Sequence, residues 1–332
     1  MKRRDAALTI LALGSATVPL RLLAQQQPKV WRIGSISLAS APSDVTDVFA
    51  QRLHELGYVE GKNIVFERRY AAGDVARLPQ AAADLVKLDV DLILVGSNQA
   101  ADVARRATRT IPIVCPVAAD PVGSGLAQSL AHPGGNVTGI SVMGPELAGR
   151  KLQLLRDIIP DVRRVAVLAL AHATEAGFAT GARLLLESLR QPAQQLGIEI
   201  LPHPAGVVAE IAKAFAAMRS EKAQALIVQA NQLTLDHRTL IAELVAKQRL
   251  LAIYDTTHFA EAGGLISYGP DFVKIYRRAA EMVVTILKGM NPADIPFEQP
   301  DTYELVINMK TAKALGIKIP HSILLRADRV IE

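Results

Sequence analysis

The polar residues best placed to do chemistry stand just past short β-branched runs. Each half of the chain offers an Asn and then an Asp in that position: Asn98 and Asp120 in the first, Asn231 and Asp255 in the second. Ser35, Ser37, Ser40, Ser97 and Gln99 join the first pair; His172, Thr174, Glu175, Gln232, Thr256 and Thr257 join the second. Hydroxyls and amides at helix starts can hold a carboxylate, because free backbone N–H groups and the positive end of the helix dipole point at it. Asp120, Glu175 and Asp255 can pair with an ammonium. The same residue types are also ordinary helix N-caps. What favours binding for the set is the convergence of six such loops on one cleft.

Other chemistries find little support. Gly123-Ser124-Gly125 and Gly134-Gly135 do not form a dinucleotide fingerprint directly after a strand, so they read as turns. The seven histidines show no close metal-ligand spacing. No serine stands in a nucleophile-elbow sequence. Cys115 is the single cysteine, which excludes an internal disulfide, and its apolar run from Ile111 to Val117 suggests a buried, inert thiol. Asn136-Val137-Thr138 fits a turn and strand start better than a glycosylation site. No cofactor and no metal is expected.

The elements that must position these loops alternate between strand and helix, the pattern of parallel sheets covered on both faces. Val30 to Ser37 is the first predicted strand. Asp44 is the predicted cap of a helix with Val45, Val48, Phe49, Leu53 and Leu56 on one face, ended by Gly57. Strands follow at 64–68, 92–95 and 111–117, with helices around 78–88 and 100–108. The cycle then restarts: helix 146–159, strand 165–170, a long helix to Leu196, strand 198–201, helix 208–218, strand 225–229, helix 240–248 and strand 251–254. In such sheets ligands bind outside the carboxyl ends of the strands.

Export is expected from the amino terminus. Lys2, Arg3 and Arg4 precede the apolar stretch Ala6 to Leu20, and the chain turns polar at Gln25. The stretch is shorter than the roughly 20 residues of a membrane span, so it reads as a signal peptide, residues 1–24, cut after Ala24. Residues 2–21 supply three of the five net positive charges, which leaves little reason to expect nucleic-acid binding. No cysteine near the cut offers a lipid anchor, so a periplasmic location is expected. The remaining length suits two lobes of ordinary domain size.

Longer motifs carry a family resemblance over nearly the whole chain. The segments 56–63 (LGYVEGKN), 120–122 (DPV), 133–139 (PGGNVTG), 263–269 (GGLISYG), 286–289 (ILKG), 291–296 (NPADIP) and 304–308 (ELVIN) are similar to the ABC-transporter substrate-binding family that includes tryptophan/tyrosine-type binding proteins. The resemblance implies an α/β type I periplasmic-binding fold: two Rossmann-like doubly wound lobes joined by a three-crossing hinge, with the ligand between them. It places residues 28–140 plus 268–290 in lobe 1 and 141–267 plus 291–332 in lobe 2. Crossings are expected at Asn136 to Ser141, Leu265 to Tyr268 and Asn291 to Pro300. Gly96-Ser97-Asn98 stands where the family often has Gly-Thr-Pro. Ala171 to Thr174 stands where an Asn-Pro pair commonly follows the strand, so an aromatic amino acid is not carried over as the ligand.

The expected function is that of a non-enzymatic, monomeric solute binder. It closes around a small polar molecule, an amino acid or related zwitterion, and presents it to an ABC permease at the inner membrane. A ligand sensor for a membrane receptor, or a secreted α/β enzyme using the cleft acids, are the alternatives. The expected ligand-binding residues are Ser35, Ser37, Ser97, Asn98, Asp120, Thr174, Glu175, Asn231, Asp255 and Tyr268. One Trp, six Tyr and seven Phe are few for a stacked sugar platform.

Overall fold

The computed structural model describes residues 29–143, 145–171 and 180–332. The signal-peptide expectation, and His172, Thr174 and Glu175, lie outside the described residues.

The first lobe alternates strand and helix up to β4 and then adds β5 with no helix between: β1 (Trp31–Ser37), α1 (Asp44–Glu55), β2 (Ile64–Tyr70), α2 (Leu78–Lys87), β3 (Leu92–Val95), α3 (Asn98–Ala107), β4 (Ile113–Ala119) and β5 (Val137–Met143). Its five-stranded sheet has the order β2-β1-β3-β4-β5, and all pairings are parallel. Parallel strands covered on both faces read as continuous apolar runs, and β3 (LILV) is buried throughout. Its side chains alternate between two cores. Leu92 and Leu94 pack with Phe49 and Leu53 of α1, while Ile93 and Val95 pack with Leu78, Ala82 and Leu85 of α2. Each fully buried aliphatic side chain of this kind contributes roughly 1.5–3 kcal/mol. The cap of α1 is Ser43, one residue before Asp44, and its N–H donates to Thr46 Oγ1 at 2.9 Å.

The second lobe repeats the scheme with α4 (Pro145–Ile158), β6 (Arg164–Leu170), α5 (Thr180–Leu196), β7 (Glu199–Ala205), α6 (Val208–Ser220), β8 (Ala225–Val228), α7 (Gln232–Asp236), α8 (Arg238–Gln248), β9 (Leu251–Tyr254), α9 (Thr257–Glu261) and β10 (Ile266–Pro270). The chain returns to the first lobe as α10 (Phe272–Leu287), whose Ile275, Ala279 and Val283 join the core with α1. It ends in the second lobe with β11 (Tyr303–Asn308), α11 (Met309–Leu315), α12 (His321–Leu324) and β12 (Arg329–Ile331). The sheet order is β12-β11-β10-β9-β8-β6-β7, parallel except where β10 meets β11. Again the faces alternate: Val165 and Val167 pack on one side, Ala166 and Leu168 on the other.

The crossings fall later along the chain than the sequence suggests. β5 stays in the first sheet to Met143, and β10 pairs with β9 at Ile266 and Ser267 and with β11 as far as Pro270. Residues 292–297 pack on the first lobe: Ile295 and Phe297 enter its cores, and Thr138 Oγ1 donates to Ile295 O at 2.8 Å. The last crossing therefore lies between Glu298 and Tyr303. Both crossing strands press backbone against backbone, because a Cβ on Gly139 would lie 1.9 Å from Cys115 O, and one on Gly269 would lie 1.8 Å from Asp255 O.

Candidate ligand-binding site

In the first lobe the strand-end side chains are largely occupied by their own backbone. Ser37 Oγ accepts the Ala39 N–H at 3.1 Å, and Ser97 Oγ caps α3 by accepting from Ala100 N at 3.2 Å. Asn98 is buried; its Nδ2 donates to Ala119 O at 2.6 Å while its Oδ1 accepts the Ala119 N–H at 2.7 Å. That amide mimics a neighbouring strand and staples the start of α3 to the end of β4. Asp120, the next residue, is thereby fixed in a left-handed conformation (φ 40°) that Asp tolerates better than most residues. Its Oδ1 accepts the Gly123 N–H at 2.9 Å, and it is half-buried. Among the described residues no basic side chain pairs with it. Ser35 is half-buried on β1, and among the described residues its hydroxyl has no side-chain hydrogen bond.

The second lobe is different. Asn231 is a helix cap: its Oδ1 accepts from Thr234 N at 3.1 Å, and its backbone N–H donates to Thr234 Oγ1 at 3.0 Å. Asp255 has its charge met within the lobe. Its Oδ1 is hydrogen-bonded by the ammonium of Lys151 on α4, and its Oδ2 accepts the Ala230 N–H at 3.1 Å. Tyr268 lies on β10, partly buried on the second-lobe core, with its ring 5.9 Å from that of Tyr303.

Lys151 is the residue the sequence reading missed. Its side chain is only 2% exposed, and burying an ammonium is tolerated only with a partner. A signal was present: Leu147, Ala148, Lys151, Leu154 and Leu155 share the buried face of α4 at helical spacing. A lysine inside an apolar stripe points to a buried counter-charge, although the partner stands 104 residues away. Beside the pair is a cavity of about 50 Å³, lined by Val142, Leu147, Ala148, Lys151, Leu185, Ser188, Ala230, Asp255, Pro270 and Phe272. It sits where β5 leaves the first sheet and where β10 hands over to α10. Three or more donor side chains able to hold a metal ion do not come together among the described residues. Cys115 is fully buried and its thiol is pushed up to about 12 by burial, so it is no nucleophile.

Two parallel-sheet lobes joined by three crossings, with polar strand-end loops in each, define a two-lobed ligand-binding protein of the type I periplasmic-binding class. Residues 39–331 match the family model described as ABC transporter substrate binding protein, and the chain belongs to that family. A curated relative is a tyrosine-binding protein of Clostridioides difficile (strain R20291), 27% identical over 270 residues, 81% of this chain and 76% of the relative. Among solved structures, a conserved domain protein from Vibrio cholerae has a TM-score of 0.82 at 28% identity, covering 91% of this chain and 100% of the other. An ABC domain from Streptococcus pneumoniae in complex with L-Trp has a TM-score of 0.81 at 27% identity, with 91% and 100% covered.

Proposed function

We propose that this chain is the periplasmic solute-binding component of an ABC importer, and that it closes its lobes around an α-amino acid or a closely related zwitterion. The observation that carries the reading is the pairing of two similarly built lobes whose strand-end loops both present polar side chains, in a family whose relatives include a tyrosine-binding protein and an L-Trp complex. Ligands of such folds sit beyond the carboxyl ends of the strands. Asp120, a carboxylate with no described cation, is the proposed partner of the ligand ammonium. Ser35, Ser37, Ser97, Asn98, Asn231, Asp255 and Tyr268 are proposed to line or shape the same cleft, and Thr174 and Glu175 complete the proposed set.

The test is a thermal-shift screen of the purified protein against amino acids, purines, organic acids and sugars. A ligand that binds only the folded form stabilises it by about 2.7 kcal/mol at a hundredfold excess over Kd, a rise of several degrees in Tm. Amino acids, L-tryptophan and L-tyrosine among them, are expected to give that rise. A rise with sugars alone would overturn the ligand class. The same ligands recovered unchanged after long incubation would separate binding from catalysis.

A further inference from the structure

We infer that the cavity beside Lys151 is the subsite for the ligand's carboxylate, with Lys151 the cation that receives it and Asp255 the group that holds Lys151 in place. The inference rests on the amino-acid reading above and deepens it. An ammonium carries three N–H donors. Among the described residues Lys151 gives one of them to Asp255 and finds no other acceptor, although its side chain is 2% exposed. Buried donors need partners, so the remaining acceptors belong in the adjacent space.

That space has the right size and character. Its volume of about 50 Å³ is several times the roughly 10–15 Å³ that one water requires; it suits a carboxylate or a few waters rather than a whole amino acid. Its walls are mostly apolar, with Leu147, Leu185 and Phe272 beside Lys151 and Asp255, the composition of a small-molecule site with few polar anchors. In such surroundings a carboxylate is worth binding only against a cation.

Asp255 is not thereby displaced: its Oδ2 remains on the Ala230 N–H, which ties the pair to the loop that leads into Asn231. The cavity also touches Val142 and Pro270 at two crossings, so filling it joins ligand binding to the hinge. The sequence offers Asp255, beside Asp120 and Glu175, as a partner for the ligand's ammonium; the geometry gives Asp255 to Lys151 and leaves the carboxylate to Lys151.

The experiment measures Kd by isothermal titration calorimetry for L-tryptophan, its decarboxylated analogue tryptamine, L-tyrosine and tyramine, in the wild type and in Lys151→Met/Asp255→Asn. That variant removes both charges and so leaves no buried ion unpaired; Lys151→Arg, which keeps the cation, is the rescue variant. The wild type is expected to prefer at least one amino acid over its amine by more than tenfold. The neutral pair is expected to reduce that preference to less than threefold, and Lys151→Arg to restore part of it. A merely structural pair would weaken acid and amine alike and leave the ratio unchanged, which would overturn the inference while leaving the amino-acid reading intact. If no amino acid binds the wild type, the amino-acid reading fails and this inference fails with it. If that neutral pair does not fold, Lys151→Met/Asp255→Leu, which also removes both charges, takes its place and is read by the same ratio: a fall of the preference to less than threefold supports the inference, and an unchanged ratio overturns it.

Discussion

Asp120 and Asp255 occupy matching places, each just past a strand of a parallel sheet, yet they live in different electrostatic surroundings. Asp120 is steadied by neutral groups: Gly123 N–H donates to it, and Asn98 fixes the residue before it through two backbone hydrogen bonds. Asp255 is steadied by a buried cation delivered from α4. A strand-end carboxylate therefore does not declare its role by position. In the first lobe no basic side chain among the described residues meets the charge; in the second a lysine of the same lobe does. A pair of similar loops can thus divide the work, one side offering a carboxylate and the other a lysine.

The largest effect should come from breaking the second-lobe pair on one side only. Lys151→Met leaves Asp255 partly buried without its cation and should cost about 3–5 kcal/mol in urea unfolding, whereas Lys151→Met/Asp255→Leu should recover most of that loss. Equal losses in the two variants would mean the pair matters for packing and not for charge. On the first-lobe side, Asn98→Ala leaves the Ala119 N–H and C=O without partners and should cost about 1–3 kcal/mol. Because the wild-type contacts there are neutral, that loss should not change with salt.

Gly269→Ala sharpens the comparison from the backbone side. Its Cβ would meet Asp255 O, so the substitution should cost about 1–3 kcal/mol by overpacking and weaken ligand binding by shifting Asp255. The same substitution at the exposed Gly135, which has no left-handed φ and no atom within 4 Å of the added Cβ, meets neither clash nor backbone strain. A smaller readout is chemical: Cys115, its thiol raised to about 12 by burial, should resist iodoacetamide in the folded protein at pH 8 and react once urea unfolds the chain.

The smallest effect belongs to the surface. Hydrogen bonds from Arg277 and then Arg52 hold the Glu55 carboxyl down at about 2. A depressed carboxylate contributes its stability above the ordinary carboxylate range and loses it as pH falls through the folded value, here about 2. NMR titration should find Glu55 still ionised at pH 4. Exposed pairs of this kind contribute little to stability, so Glu55→Gln should leave the urea midpoint nearly unchanged, in contrast to Lys151→Met.

Much of the fold was legible because its signals are local. β3 and β9 are short apolar runs, α1 shows its buried face by period, and the crossings lie near the glycine- and proline-rich motifs. Where the sequence misled, distant pairing decided. β7 runs on through Pro202 and Pro204 because it is an edge strand, where missing N–H groups are tolerated. β10 is held in the second sheet to Pro270 by β11, its antiparallel neighbour. In the site, the residue types were legible but their partners were not: nothing near Asn98 in sequence announces a bond to Ala119, and nothing near Asp255 announces Lys151. The anomaly of a lysine on the apolar face of α4 was the only local trace.

The central claim, a two-lobed protein that binds one small amino acid between its lobes, is tested most directly by calorimetric titration of the wild-type protein with L-tryptophan, L-tyrosine and the remaining amino acids. Saturable binding of at least one of them at one molecule per chain is predicted, with the ligand recovered chemically unchanged. No heat of binding from any amino acid, or steady conversion of the ligand, would contradict it.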